Sequence, residues 1–313
     1  MLGFNDISYT PGGYYQPGLG NQMYQYAALM GIASYKGYEF CAPLSSPISP
    51  SSLLLPSLCF KLEGANFNCL PSAPKYENTK FDFNRQYMED CPDEVTLAGI
   101  SFFSVKYFSH IEKEVRAAYT FKDAILAECL KIRKAITAGD AIAIQVRRGD
   151  YTTSTLGVCS EHYYHGALNK LDGNRRATIT NSQLGGKRAV SNKPVLVFSD
   201  DPAWCLSKFK GDRFRFIVDK DSRHSHSSMS SATQLNVETN DRVIFVEDYR
   251  YSLCLMTLCN DFIISNSTFG IWGAWLAENL NRVIRPQNLW IKPLPNDKDY
   301  YPKSNNWTPF RGW

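Results

Sequence analysis

The chain has 313 residues, 44% of them hydrophobic and 20% charged, with a formal net charge of +4 at pH 7. This balance excludes a disordered chain, and the weak basic excess lacks the strong stripe of a nucleic-acid binder. The length exceeds one ordinary core and suits two domains.

In chain order, residues 4–10 (FNDISYT) read as a first strand, followed by the turn-rich loop PGGYYQPGLGN. The segment QMYQYAALMGIASYKG carries Met23, Tyr26, Ala27, Met30 and Ala33 at helical spacing, and YEFCAPL follows as a strand. Strand, Gly-rich loop, helix, strand is the order of a parallel α/β unit. Residues 43–94 are rich in Pro, Ser and Asn and read as an irregular cover over the first domain. EVTLAGISFF reads as a strand, SHIEKEVRAAYTF and KDAILAECLKIRKAITAG as helices, with Gly139 ending the second. A domain boundary is expected near 138.

The second half alternates more clearly. AIAIQV, PVLVFSDD, RFRFIVD, RVIFV and DFIISN read as strands, while SEHYYHGALNKL, YRYSLCLMTLC and TFGIWGAWLAENL read as helices. The polar stretches 172–193 and 219–241 read as surface insertions. The sum is an α/β chain of two domains with mostly parallel sheets.

The nine cysteines are odd in number, contain no C-x-x-C pair and lie mostly in apolar runs. They predict a reducing compartment and no disulfide framework. The five histidines do not cluster with cysteines, so no metal site is expected. The opening MLGFNDISYT has no signal-peptide pattern, and no apolar run has the length of a membrane span, which predicts a cytosolic protein.

Ligands of open α/β sheets bind beyond the carboxyl ends of the strands. Four polar clusters fall at such places: GLGNQ (18–22), RRGD (147–150), SDD (199–201) and SNSTFG (265–270). The last sets hydroxyls and free backbone N–H groups at a helix start, a ready anion site. Arg147 and Arg148 add guanidinium forks that never lose their charge. Together the clusters point to a diphosphate site. Each also has a plain reading. Ser267 or Thr268 could simply cap a helix. The arginines could pair with Asp150, Asp200 or Asp201, and GLGN could be a tight turn. RGD as an adhesion tripeptide is set aside because it leaves a buried strand. No Walker A loop, G-x-G-x-x-G loop or G-x-S-x-G elbow is present.

With these clusters in view, the chain resembles the α-1,2-fucosyltransferase family, glycosyltransferase family 11. The resemblance lies in GLGNQMYQYA, GISFFSVKYFSHIEKEVRAAYTF, QVRRGDY, VFSDDPAWC and LCLMTLCNDFIISNSTFGIWGAWL, five blocks in order from 18 to 276. It implies a GT-B-type glycosyltransferase of two Rossmann-like domains. Residues 1–138 would form the acceptor side and 139–313 the nucleotide-sugar domain, with the final segment packing back on the first domain. The implied reaction is inverting, metal-independent transfer of L-fucose from GDP-β-L-fucose to the 2-hydroxyl of a galactose-terminated glycan. No cofactor beyond the donor substrate is implied. The implied setting is cytoplasmic, peripheral to a membrane carrying the acceptor.

Carried over, Arg147 and Arg148 would grip the diphosphate, Arg148 at the β-phosphate. Asn266, Ser267, Thr268 and Phe269 would line the nucleotide, and Asp200 and Asp201 would shape the crevice. Gly20 and Asn21 would face it from the other domain. Asp150 is the candidate base, with an orienting partner for the arginines as its other reading. Three positions depart from the family pattern. Gln145 stands where the family has a His expected to contact guanine, Ser252 where an aspartate is common, and Ile271 where a Trp is usual. The first two weaken guanine specificity and leave another nucleotide sugar, or a silent binding homologue, as alternatives. Tyr14 and Tyr15 stack on a sugar or are ordinary surface aromatics.

Overall fold

The computed structural model describes residues 1–4, 9–10, 13–14, 18–44, 54–69, 73–80, 83–99, 102–173, 192–220, 237–290 and 297–312. The chain divides into two compact units, Met1–Asp123 with Leu294–Pro302, and Ala124–Pro293 with Lys303–Trp313. The fold class expected from the sequence, α/β with parallel sheets, is the one observed.

The first unit runs β1 (Leu2–Phe4), a short antiparallel ribbon β2 (Tyr9–Thr10) and β3 (Gly13–Tyr14), then α1 (Leu19–Lys36) and β4 (Phe40–Cys41). After these come α2 (Leu55–Cys59), β5 (Lys75–Asn78), α3 (Arg85–Asp90), β6 (Thr96–Gly99) and α4 (Glu112–Ala118). Its sheet is parallel with order β4-β1-β6-β5. The helical stripe read from the sequence is buried along α1, and so is nearly every other residue from Leu19 to Ala33. Neighbours therefore surround this helix. Gln22 accepts from the Leu55 N–H at 2.8 Å, and the Tyr119 hydroxyl donates to the Met23 carbonyl at 2.6 Å. Such partners make burial of Gln22 and of the Met23 carbonyl tolerable.

Residues 43–94 are not the irregular cover expected. They supply β5, which pairs with β6 in the sheet, and two helices. The reason is tertiary. The Tyr107 hydroxyl accepts from Asn78 Nδ2 at 3.2 Å and from the Asn84 N–H at 3.0 Å, and the Tyr87 hydroxyl donates to the Tyr76 carbonyl at 2.6 Å.

The cysteine reading also needs correction. Cys41 and Cys69 form a disulfide, their Cα atoms 5.5 Å apart, which ties β4 to a segment 28 residues on. The other seven cysteines are free and buried. The expectation that the cysteines form no disulfide therefore does not hold for this pair. No helix among the described residues is long and apolar enough to cross a membrane.

From Ala124 onward α5 (Asp123–Ile136) lies in the second unit, so the division falls some fifteen residues before the expected 138. The helix belongs here because Cys129 Sγ donates to the Tyr251 carbonyl and Arg133 Nε to the Leu258 carbonyl at 3.1 Å. Arg133 also closes the helix end, its two Nη groups donating to the Thr137 and Gly139 carbonyls at 2.6 Å each. Then follow β7 (Ile142–Val146), α6 (Glu161–Leu171), β8 (Val195–Ser199), α7 (Pro202–Lys208), β9 (Phe214–Asp219) and β10 (Val243–Val246). The last group is α8 (Tyr249–Thr257), β11 (Asp261–Ile263), α9 (Thr268–Trp275), β12 (Arg282–Pro286) and β13 (Trp307–Phe310).

All seven strands are parallel, in the order β10-β9-β8-β7-β11-β12-β13. β7 is buried on both faces, as a central parallel strand must be. Ile142, Ile144 and Val146 join Tyr163, Tyr164, Leu168, Cys205, Leu206 and Phe209 from α6 and α7 in one core layer. The alternate residue Gln145 therefore points to the opposite face. The stretches 174–191 and 221–236, where surface insertions were expected, lie outside the described residues.

Candidate functional site

The strand order reverses direction at β7. Strands β8, β9 and β10 add on one side of it, and β11, β12 and β13 on the other. Three of the four polar clusters leave the carboxyl ends of β7, β8 and β11, the strands at this reversal. Crevices form at such points because successive connections depart to opposite faces. The fourth cluster, with Gly20 and Asn21, lies at the start of α1 in the first unit.

The two arginines have different partners. Arg147 Nη2 donates to Asp150 Oδ1 at 2.6 Å, and its Nη1 lies 2.9 Å from Asp200 Oδ2 as an ion pair. Its guanidinium also lies over the Tyr151 ring, 5.0 Å from the centroid. Arg148 uses only Nε, which donates to Asp201 Oδ2 at 3.0 Å, and its guanidinium lies 4.3 Å from the centroid of Trp204. Its backbone N–H donates to Asp200 Oδ1 at 2.9 Å. Both Nη groups of Arg148 have no hydrogen-bond partner among the described residues. The choice between anion grip and internal ion pair thus splits. Arg147 is held by carboxylates at both Nη groups, whereas Arg148 is held at its base and face with its tip unengaged.

Asp200 and Asp201 shape this arrangement by holding arginines. Asp201 also caps α7, its Oδ1 accepting the Trp204 N–H at 3.0 Å. Burial pushes the Asp200 carboxyl above the usual carboxylate range, against the opposing pull of the Arg147 charge and the Arg148 N–H. Gly149 is required by this packing, since a Cβ there would sit 2.6 Å from Asp200 Oδ2. Asp150 has an exposed side chain with one oxygen on Arg147.

Across the reversal, Gln145 Oε1 accepts from the Ser265 hydroxyl at 2.6 Å and from its N–H at 3.2 Å. Gln145 is 5% exposed, so its carbonyl serves to join β7 to the chain leaving β11. Asn266, expected on the nucleotide, is 1% exposed. Its Nδ2 donates to the Gly157 carbonyl at 3.1 Å and the Leu156 carbonyl at 3.4 Å, so it anchors the loop after β7 instead. Ser267 occupies the N-cap position of α9 without a side-chain cap bond, and its hydroxyl has no partner among the described residues. The plain capping reading of this cluster therefore fails for Ser267. Thr268 and Phe269 are half-buried at the first turn. Ser252 donates its hydroxyl to Asp219 Oδ1 at the end of β9. Ile271 is buried, as a packing substitution should be. Tyr14 is described in its backbone alone, and Tyr15 lies outside the described residues.

Trp204, within the VFSDDPAWC block, and Asp219 were not among the expected site residues. Trp204 could have been found from its spacing, since a residue three beyond the Asp201 cap shares the first turn of the helix.

A parallel sheet whose carboxyl edge carries these groups at a strand reversal places the chain among the doubly wound α/β proteins. The family model for glycosyl transferase family 11 matches residues 14–309, and the chain belongs to that family. It is similar to an alpha-1,2-colitosyltransferase of Escherichia coli, 25% identical over 206 residues covering 63% of this chain and 57% of that protein. It is also similar to the galactoside alpha-(1,2)-fucosyltransferase 2 of Pongo pygmaeus, 26% identical over 266 residues covering 83% of this chain and 66% of that protein. The chain thus spans about three-fifths of the length of these relatives. Among solved structures it matches a NodZ alpha-1,6-fucosyltransferase soaked with GDP-fucose at 14% identity and a TM-score of 0.46, covering 86% of this chain and 91% of that one.

Proposed function

We propose that the chain is a GT-B-type glycosyltransferase that moves L-fucose from GDP-β-L-fucose to the 2-hydroxyl of a terminal galactose, with inversion and without a metal ion. Family membership supports sugar transfer, and the names of the relatives support a 1,2 linkage. The observation that carries the reading is the Arg148 guanidinium, fixed at Nε and at its face with its Nη groups unengaged.

In the proposed step the bond from the sugar C1 to the β-phosphate oxygen breaks, and GDP leaves with the electron pair. The galactose 2-oxygen forms the new bond to C1 from the opposite face and gives up its proton. Negative charge grows on the departing diphosphate. Fixed donors aimed at developing charge stabilise the transition state more than the ground state. Arg148 supplies such donors, with the Ser267 hydroxyl and the N–H groups at the start of α9 as neighbours on the next strand. We assign the proton to Asp150, one of whose oxygens is left over from its pair with Arg147. Gly20 and Asn21 are proposed for the acceptor side.

The Escherichia coli relative favours a second reading, transfer of a different sugar by the same site. Incubation of a galactose-terminated oligosaccharide with GDP-fucose in excess chelator, read by mass, decides. A mass gain of one deoxyhexose is expected. Arg148→Ala should lower kcat by about 10²–10³. Transfer only from other nucleotide sugars would select the second reading. GDP binding with no transfer from any donor would mark a silent homologue, and activity abolished by chelator and restored by metal would refute the metal-free step.

A further inference from the structure

Arg148 is gripped on three sides by one short stretch of chain. Its backbone N–H donates to Asp200 Oδ1 at 2.9 Å, its Nε to Asp201 Oδ2 at 3.0 Å, and its planar face lies 4.3 Å from the Trp204 centroid. Asp201 also fixes the chain that carries the tryptophan, accepting the Trp204 backbone N–H with its other oxygen at 3.0 Å. The indole is packed in turn against Tyr164 and Phe209, with centroids 6.3 and 6.2 Å away. A long, flexible side chain is thereby reduced to one orientation, and only its two Nη groups remain unengaged among the described residues. We propose that Asp201 and Trp204 are positioning residues, a clamp that presets Arg148 so that its outer fork meets the diphosphate of the nucleotide sugar.

This inference rests on the proposed function of the same site and adds to it two residues that need not touch the substrate. The physical reason is preorganisation. A free arginine loses rotamer freedom when it takes an anion, whereas a clamped one has lost it on folding. The aromatic face also restricts the choice of cation, because a planar guanidinium stacks on it while presenting its edge, and an ammonium cannot do both. Asp201 lies beside an anion site, where a second negative charge by itself opposes binding. Its presence there is explained by alignment of Nε and capping of α7.

The test is a double-mutant cycle on GDP affinity, measured by calorimetry on wild type, Trp204→Leu, Arg148→Ala and the double variant. Trp204→Leu should weaken GDP about ten-fold, and Trp204→Phe should recover most of that loss. In the Arg148→Ala background the same change should cost nothing further, because the clamp then has nothing to hold. Equal losses in both backgrounds, or no loss from Trp204→Leu where Arg148→Ala does lose affinity, would overturn the proposal. No GDP binding by wild type would instead overturn the proposed function itself. Should Trp204→Leu not fold, Asp201→Asn serves, since Asn caps a helix as well as Asp does. Charge removal alone would strengthen anion binding, so a fall in kcat of about ten-fold or more marks lost alignment. An unchanged kcat would overturn the clamp.

Discussion

Two adjacent arginines differ here because a strand end turns them toward different neighbours. Arg147 is ion-paired with Asp150 and Asp200, and Arg148 with Asp201 alone. The RRGD and SDD clusters stood out in the sequence as charged groups at strand ends. Which carboxylate meets which guanidinium depends on β7 and β8 lying side by side, and no local pattern encodes that. Asp200 gives a pH signature. Its carboxyl is raised in the folded chain, chiefly by burial. The unfolded group titrates at about 3.9. A raised acid binds its proton more tightly when folded, so ionisation costs stability, and the cost appears as pH rises from about 3.9 through the folded value. The melting temperature of wild type should therefore fall relative to Asp200→Asn over that interval. A difference that stays flat, or moves the other way, would refute the assignment.

At the level of elements, the sequence was readable where apolar residues run long and unreadable where tertiary contacts decide. The residues of α1 were recognisable from their spacing, as were the apolar strands of the second unit. β5 was not, because KYEN carries no apolar run and its strand form comes from pairing with β6 and from the Asn78, Asn84 and Tyr107 hydrogen bonds. β12 and β13 were missed as well. RVIRP and WTPF are short and mixed, and they become strands by adding to an existing edge. Close packing also left a mark on α1. A Cβ at Gly31 would lie 2.0 Å from the Tyr107 carbonyl oxygen, which is backbone and cannot step aside cheaply. Gly31→Ala is expected to cost about 1–3 kcal/mol or more. That corresponds to a drop of roughly 2–10 °C in Tm. A melting curve unchanged from wild type would show that the helix and the turn at 105–107 are not in contact.

For the whole molecule, the cysteines separate the two levels of reading. Seven behave as the buried apolar residues that the sequence suggested, while Cys41 and Cys69 are joined across a spacing that no motif marks. Burial pushes the Cys91 thiol up to about 11 and those of Cys159 and Cys259 to about 12. Thiolate is the reactive form, so these groups should resist iodoacetamide in the native protein at about pH 8. In denaturant without reductant, alkylation should count the seven free cysteines, and with reductant all nine. Nine without reductant would remove the Cys41–Cys69 bond.

The seven-stranded sheet also sets an order of assembly. From β7 to β10 each new strand lies beside the last, and from β11 to β13 the same holds. Only the passage through α8 jumps, carrying the chain from one margin back past three strands to the far flank of β7. A nascent chain that has emerged only as far as Val246 can pair its arginines with Asp200 and Asp201, yet lacks the Ser267 turn. Completion of the proposed donor site must therefore wait on that single long-range docking event, and a lesion confined to residues 247–260 could silence the protein without touching Arg148, Asp201 or Trp204.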